Sequence, residues 1–195
     1  MKNEIINISL VGVGGQGILL ASEVISRAAM LSGLDVKKSE VHGMAQRGGS
    51  VVSEVRIGEK VYSPLITAGE TDFLVSFDLL ESLRYADILR PEGLALINNQ
   101  VIVPVTVSSG QQPWVEDIPQ RIENAYPNRR IIDALDMAKD LGNVRATNMI
   151  MTGALSHFLN LDEKVWDQAI AELVPSKHME VNVKAFNAGR SSVNG

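Results

Sequence analysis

Apolar residues in this chain come in short dense runs, separated by glycines or polar clusters, and the runs alternate between two spacings. Ile5 to Val13 is rich in Ile, Leu and Val and ends in glycines, the pattern of a buried central strand of a parallel sheet. From Gly15 to Leu31 the spacing is helical, with Ile18, Ala21, Ile25 and Ala28 on one face and Leu20, Val24 and Leu31 on another. A helix apolar on two sides packs on both. Asp35 to Val41 predicts a second strand and His42 to Gly49 a loop. Ser50 to Ile57 alternates, with Val51, Ser53, Val55 and Ile57 set against Val52, Glu54 and Arg56, so this strand has one wet face. Gly58-Glu59 turns the chain, and Val61-Tyr62 predicts a short hairpin return.

Asp72 to Phe77 predicts another buried strand and Leu79 to Leu89 a helix, broken by Arg90-Pro91-Glu92-Gly93. Leu94 to Ile97 and Val101 to Val107 read as strands about an Asn98-Asn99 turn, and Ser108 to Pro113 as a surface loop. A helix over Asp117 to Tyr126, a strand over Arg130 to Leu135 and a short helix over Asp136 to Leu141 follow. Glu116-Asp117 suits the positive end of a helix. The last third is helical. Thr147 is placed to cap a helix from Asn148 to Leu159 that is apolar nearly all round, where His157 reads as a core histidine and Met149 and Met151 as packing. Asp162 caps a helix ended by Pro175, His178 to Ala188 forms the last one, and Arg190 to Gly195 is expected to fray. The whole predicts a single domain over 1–195 of α/β class: a three-layer sandwich with a mostly parallel sheet, a short hairpin and a helical C-terminal third.

Composition removes several classes of function. A net charge of −5 lacks the basic footprint of a nucleic-acid binder. No apolar run approaches the roughly 18 residues that span a bilayer, and MKNEII leads straight into a strand without a leader. The expectation is a cytoplasmic protein with no membrane or nucleic-acid partner. There is no cysteine, which removes disulfides, thiolate nucleophiles and thiolate-held iron–sulfur clusters from this chain. The three histidines, at 42, 157 and 178, form no close pair, so no metal site is expected.

Two stretches carry candidate chemistry. Gly12-x-Gly14-x-x-Gly17 follows a strand and opens a helix, the context of a dinucleotide fingerprint, and a helix start offers free N–H groups to an anion. The fingerprint also wants an acidic residue at the end of the second strand, where Glu40 alone is available. A turn that binds nothing remains the alternative, as does another anion or a partner segment. In His42-Gly43-Met44-Ala45-Gln46-Arg47-Gly48-Gly49, Arg47 offers a charged fork for carboxylate or phosphate, Gln46 donates and accepts, and His42 is of the side-chain type that can change charge near neutrality. Asp72 and Asp78 bracket a strand without an assigned role. No Walker-type Gly-Lys-Ser/Thr occurs, nor Gly-Asp-Gly followed by Asn-Asn, the thiamine diphosphate metal signature.

With Gly12-Val13-Gly14-Gly15-Gln16-Gly17, His42 to Gly49 and the strand after it, the chain resembles the gamma-type subunit or domain of 2-oxoacid:ferredoxin oxidoreductases, essentially end to end. The form HGMAQRGGSVVSEVRIG is most similar to the beta subunits of the indolepyruvate type. The resemblance implies a Rossmann-like fold and an obligate subunit of an enzyme that oxidatively decarboxylates a 2-oxoacid to an acyl-CoA, passing electrons to ferredoxin. It puts thiamine diphosphate, its Mg ion and the iron–sulfur clusters on a large alpha subunit, with no cofactor bound by this chain alone. CoA is then a co-substrate that touches it. The isolated chain is expected to be inactive and able to form a homodimer. Gly12, Gly14, Gly15, Gln16, Gly17, His42, Gln46, Arg47, Gly48 and Gly49 are the implied ligand or subunit-junction residues, and no catalytic residue is assigned. A related subunit for pyruvate, 2-oxoglutarate or a branched-chain acid, a free-standing nucleotide-binding reductase, and a scaffold without ligand stay open.

Overall fold

The computed structural model describes residues 5–43 and 49–193, with the side chain of His42 outside that part. Six strands form one sheet in the order β2-β3-β1-β4-β5-β6. β1 (Ile6–Val13), β4 (Thr71–Ser76), β5 (Leu89–Asn98) and β6 (Arg129–Ile132) run parallel. β3 (Ser50–Gly58) is antiparallel to both β1 and the edge strand β2 (Asp35–His42). The opening strand is therefore central, parallel to β4 on one side and antiparallel to β3 on the other.

Strand alternation sorts the core into two layers. Ile8 and Leu10 of β1, with Val51, Val55 and Ile57 of β3, pack under α1 (Ile18–Leu31). On the same face lie the later helices: α5 (Ala134–Asp140), α6 (Thr147–Ser156), α7 (Glu163–Leu173) and α8 (Met179–Ser191). Val11, Leu74, Ala95 and Ile97 face the other way, onto α2 (Leu79–Arg84) and α4 (Ile118–Ala125). The three-layer α/β sandwich follows from this. α3 (Val105–Ser108) is a single turn on the surface.

α6 is buried along its whole length, Met149 and Met151 included, because α8 crosses it at backbone contact. A Cβ on Gly153 would stand 1.9 Å from the Phe186 carbonyl oxygen, and one on Gly189 the same distance from that of Ile150. The Asp162 cap forms as expected, its carboxylate accepting from the Lys164 N–H at 2.8 Å.

Several elements differ from the pattern-based expectation, each for a non-local reason. Val61-Tyr62 makes no hairpin return, because β1 and β2 already occupy both edges of β3. The segment is held instead by the Val61 N–H donating to Asp35 Oδ2 at 2.9 Å and by Arg56 Nη1 donating to the carbonyls of Ser63 and Leu65, each at 3.0 Å. Val101 to Val107 is no strand either. β6 has taken the free edge of β5, and Pro104 lacks a donor. Arg90 to Gly93 does not end an element. It bulges within β5, where Thr71 pairs Leu89 but Phe73 already pairs Leu94. The helix before it stops at Arg84, followed by a 3-10 turn over Ala86–Ile88. Thr147 lies inside α6 and donates its hydroxyl to the Val144 carbonyl at 2.8 Å rather than capping. His157, expected in the core, is exposed and meets Phe158 edge-on at 5.0 Å. α8 runs on to Ser191, with Arg190 3.2 Å from Glu163 and Val193 buried, so the tail does not fray from Arg190.

Candidate functional site

β1 and β4 end side by side, and the connections diverge there: α1 covers one face of the sheet and α2 the other. A crevice at such a switch point is where open α/β sheets take nucleotides. Here a side chain of the chain itself fills it. Gln16 Oε1 accepts the Val13 N–H at 2.7 Å, and its Nε2 donates to the Phe77 carbonyl at 2.8 Å. Asn98, at the end of β5, donates to the same carbonyl at 3.1 Å.

The glycines of the turn answer to these internal partners. A Cβ on Gly12 would meet Gln16 Oε1 at 2.6 Å and the Phe77 Cβ at 2.9 Å. Gly17 is left-handed (φ 79°) at the start of α1, and a Cβ there would meet Asn148 Nδ2 at 2.6 Å. That amide donates to the Gly17 carbonyl at 3.2 Å. Gly15, at φ 105°, faces open space. Glu40 is not placed as a ribose acceptor. β3 separates its strand from β1, and its carboxylate lies 2.7 Å from Lys38 Nζ.

Above the plug is a cavity of about 590 Å³ lined by Gly14, Gly15, Gln16, Gly17, Leu20, Gln100, Ile102, Leu135, Val144, Arg145, Thr147 and Asn148. Its size is that of a small-molecule pocket. Among the described residues no carboxylate lines it. The N-terminal turns of α1 and α6 both do, α1 without any side-chain cap, and Arg145 is exposed on the rim. The uncapped start of α1 and a guanidinium make this an electropositive recess suited to an anionic group; at α6 the first N–H groups are taken, Thr147 by the Val144 carbonyl and Met149 by Asn148 Oδ1.

Four of the expected site residues, Gly14 to Gly17, therefore gather on one cavity. Gly12 lies beneath it in β1. Gly49 joins it through the backbone, its carbonyl accepting the Gly14 N–H at 2.9 Å. The Gly43 N–H donates to the Ser50 carbonyl at 2.8 Å, so the other end of the His42 to Gly49 connection lies across β3 from the turn. The backbone of His42 closes β2 opposite Val51. Gln46, Arg47 and Gly48 lie outside the described residues. Ser50, next in the chain, donates to Glu81 Oε2 at 2.5 Å and lies 2.9 Å from the Tyr85 hydroxyl. Asp78 caps α2 through the Leu80 and Glu81 N–H groups and also accepts the Ile102 N–H at 2.6 Å. Burial pushes its carboxyl up in spite of those donors. Asp72 accepts the Asn7 N–H and pairs with Arg90. Both aspartates thus have structural partners. Arg145 and Asn148 were not legible as site residues, since nothing near them in sequence marks them.

The sequence model of the pyruvate ferredoxin/flavodoxin oxidoreductase family matches residues 7–192. The chain belongs to this family. Indolepyruvate oxidoreductase subunit IorB of Archaeoglobus fulgidus is 40% identical over 189 residues, covering 94% of this chain and 93% of its own. The subunit of the same name from Thermococcus kodakarensis is 39% identical over 188 residues, with the same coverages. The 2-oxoglutarate synthase subunit KorC of Methanothermobacter thermautotrophicus is more distant, at 29% over 197 residues, 95% of this chain and 94% of that one. Pyruvate oxidoreductase subunit PORC of Thermotoga maritima has the same fold, with a TM-score of 0.73, 21% identity and 96% of each chain covered. As a member of the pyruvate ferredoxin/flavodoxin oxidoreductase family, the chain is part of an oxidoreductase. Its donor set does not fit an iron–sulfur cluster, which needs thiolates the chain lacks. Among the described residues no group of three His, Asp or Glu is arranged to hold a metal, and no helix is long and apolar enough to cross a membrane.

Proposed function

We propose that this chain is the beta subunit of an indolepyruvate ferredoxin oxidoreductase. The complex oxidatively decarboxylates aryl 2-oxoacids to acyl-CoA and passes the electrons to ferredoxin. The observation that carries this reading is the margin of similarity: 35–40% to four indolepyruvate subunits against 29–30% to three 2-oxoglutarate subunits, at nearly equal coverage. A large partner subunit brings thiamine diphosphate, magnesium and the clusters, whose thiolate ligands this cysteine-free chain cannot supply. The whole chain, 1–195, acts as one gamma-type unit.

In this reading the chain supplies shaped backbone and positive potential at the junction with that partner. The recess over Gln16 receives an anionic part of CoA, and Arg47 is a second candidate partner for that group. Among the described residues the recess holds no carboxylate to repel phosphate, and the start of α1 with Arg145 attracts it.

Co-expression with a large thiamine-diphosphate- and cluster-bearing subunit, followed by assays of ferredoxin reduction, tests the proposal. Indole-3-pyruvate and phenylpyruvate are expected to support CoA-dependent turnover well above pyruvate, 2-oxoglutarate and 3-methyl-2-oxobutanoate. Turnover by this chain alone, or preference for one of the other acids, overturns it.

A further inference from the structure

The chain is 21% charged, yet from Gly93 to Val115 it has no Asp, Glu, Lys, Arg or His. The first part of that stretch is buried strand, where the absence is ordinary. The second part is not buried: no residue from 99 to 115 is buried, and Val103, Val105 and Trp114 are 50%, 72% and 40% exposed. An uncharged surface segment with an aromatic and several aliphatics is the composition of an interface core.

The segment is a built arm. The Ile102 N–H is held by Asp78, the Gln111 and Gln112 N–H groups both donate to the Thr106 carbonyl at 2.8 and 2.9 Å, and Thr106 Oγ1 lies 2.9 Å from Gln112 Oε1. Between the arm and α2 runs a groove of about 410 Å³ whose walls include Leu80, Leu83, Val107 and Trp114. Its two charged lining residues are both arginines. Arg84 is 58% exposed and spends Nε on the buried Glu81 carboxylate at 3.2 Å, and Arg121 spends Nε on the Glu116 carbonyl, which leaves the ends of both guanidiniums at the rim. An apolar trough with a guanidinium rim and no carboxylate complements an apolar side chain flanked by a carboxylate.

We propose that this groove docks a segment of the large partner subunit, an aromatic or aliphatic anchor beside an acidic residue. The proposal rests on the subunit reading above. The arm's own hydrogen bonds pre-organise the surface, which lowers the ordering cost of docking.

The chain has two tryptophans, and Trp166 is fully buried. Labelling only this subunit with 5-fluorotryptophan gives two 19F signals, with Trp166 as internal control. On assembly with the unlabelled large subunit the Trp114 signal is expected to move and lose its solvent isotope shift, while that of Trp166 stays. Trp114→Glu and Arg121→Glu are each expected to weaken association at least tenfold in sedimentation, with the far-UV spectrum of the free subunit unchanged. A complex that assembles with Trp114 still exposed to solvent overturns the docking proposal and leaves the subunit reading standing. A homodimer of the isolated chain that protects Trp114 and is split by Trp114→Glu also overturns it, since the groove then faces a second copy. Failure to assemble with any cluster-bearing subunit removes the subunit reading, and this inference with it.

Discussion

Gln16 and Phe77, 61 positions apart, are joined by a 2.8 Å hydrogen bond from the Gln16 side-chain amide to the Phe77 carbonyl. With the bond from the Val13 N–H to the other end of that amide, one side chain ties the carboxyl ends of β1 and β4. In a dinucleotide site that gap belongs to the ligand, and the glycines keep it open. In this chain Gly12 is small because Gln16 lies over it.

Gln16→Glu tests the tie. The substitution keeps an acceptor for Val13 but sets a carboxylate against the Phe77 carbonyl, which then keeps only the Asn98 donor and faces a buried like-polarity oxygen. The expected loss is about 1–3 kcal/mol, seen as a lower urea midpoint with an unchanged slope. Gln16→Ala is expected to relieve only part of the cost of Gly12→Ala, because Phe77 Cβ and Ile18 Cδ1 still obstruct a Cβ there at 2.9 and 3.0 Å. A fully additive double mutant would contradict this arrangement.

The α6–α8 crossing gives a sharper contrast. Gly153→Ala or Gly189→Ala drives a Cβ into a backbone carbonyl that cannot step aside, at an expected cost of about 3 kcal/mol or more. Gly142→Ala meets no atom and carries only the strain of its positive φ, about 1–2 kcal/mol. Thermal unfolding of the isolated subunit should order the variants accordingly, with the two crossing variants lowest.

What the sequence revealed and what it hid divide along the same line. β1, β3 and the Asp162 cap were legible because periodicity and capping are local. Val61-Tyr62 and Val101 to Val107 have strand composition, but whether a strand forms depends on which edges are free, and β2 and β6 had taken them. The turn from Gly14 to Gly17 was legible as a site. The reason for its glycines was not, since Gly17 answers to Asn148, 131 positions away. Arg145 reaches the same recess only through the placement of α6.

Asp35 holds the segment after β3 in place and should give the protein part of its acid sensitivity. The hydrogen bond from Lys37 and that from the Val61 N–H bring its carboxyl down from 3.8 to about 2. A carboxyl lowered in the folded state stabilises the fold above its unfolded pKa, and that contribution is lost as pH falls through the folded value. Its window here is between about pH 4 and pH 2. Asp35→Asn is expected to be less stable than the parent at pH 7, with the gap narrowing across that window. An unchanged gap down to pH 2 in denaturant titrations would rule this role out.

The recess over Gln16 predicts a kinetic signature in the assembled enzyme. If it holds an anionic part of CoA, Arg145→Ala removes a charged partner at the rim, and Arg47→Ala removes the second candidate partner. A charge-assisted hydrogen bond contributes about 1.5–3 kcal/mol, and every 1.4 kcal/mol is about tenfold in affinity. Each variant is therefore expected to raise KM for CoA by about tenfold or more while KM for the 2-oxoacid stays within about twofold. The effect should shrink as salt is added, because part of the attraction is long-range and screened. Unchanged activity and CoA affinity in the Arg47→Ala complex would remove that arginine from the site. An equal rise in both KM values would instead point to a loosened subunit junction.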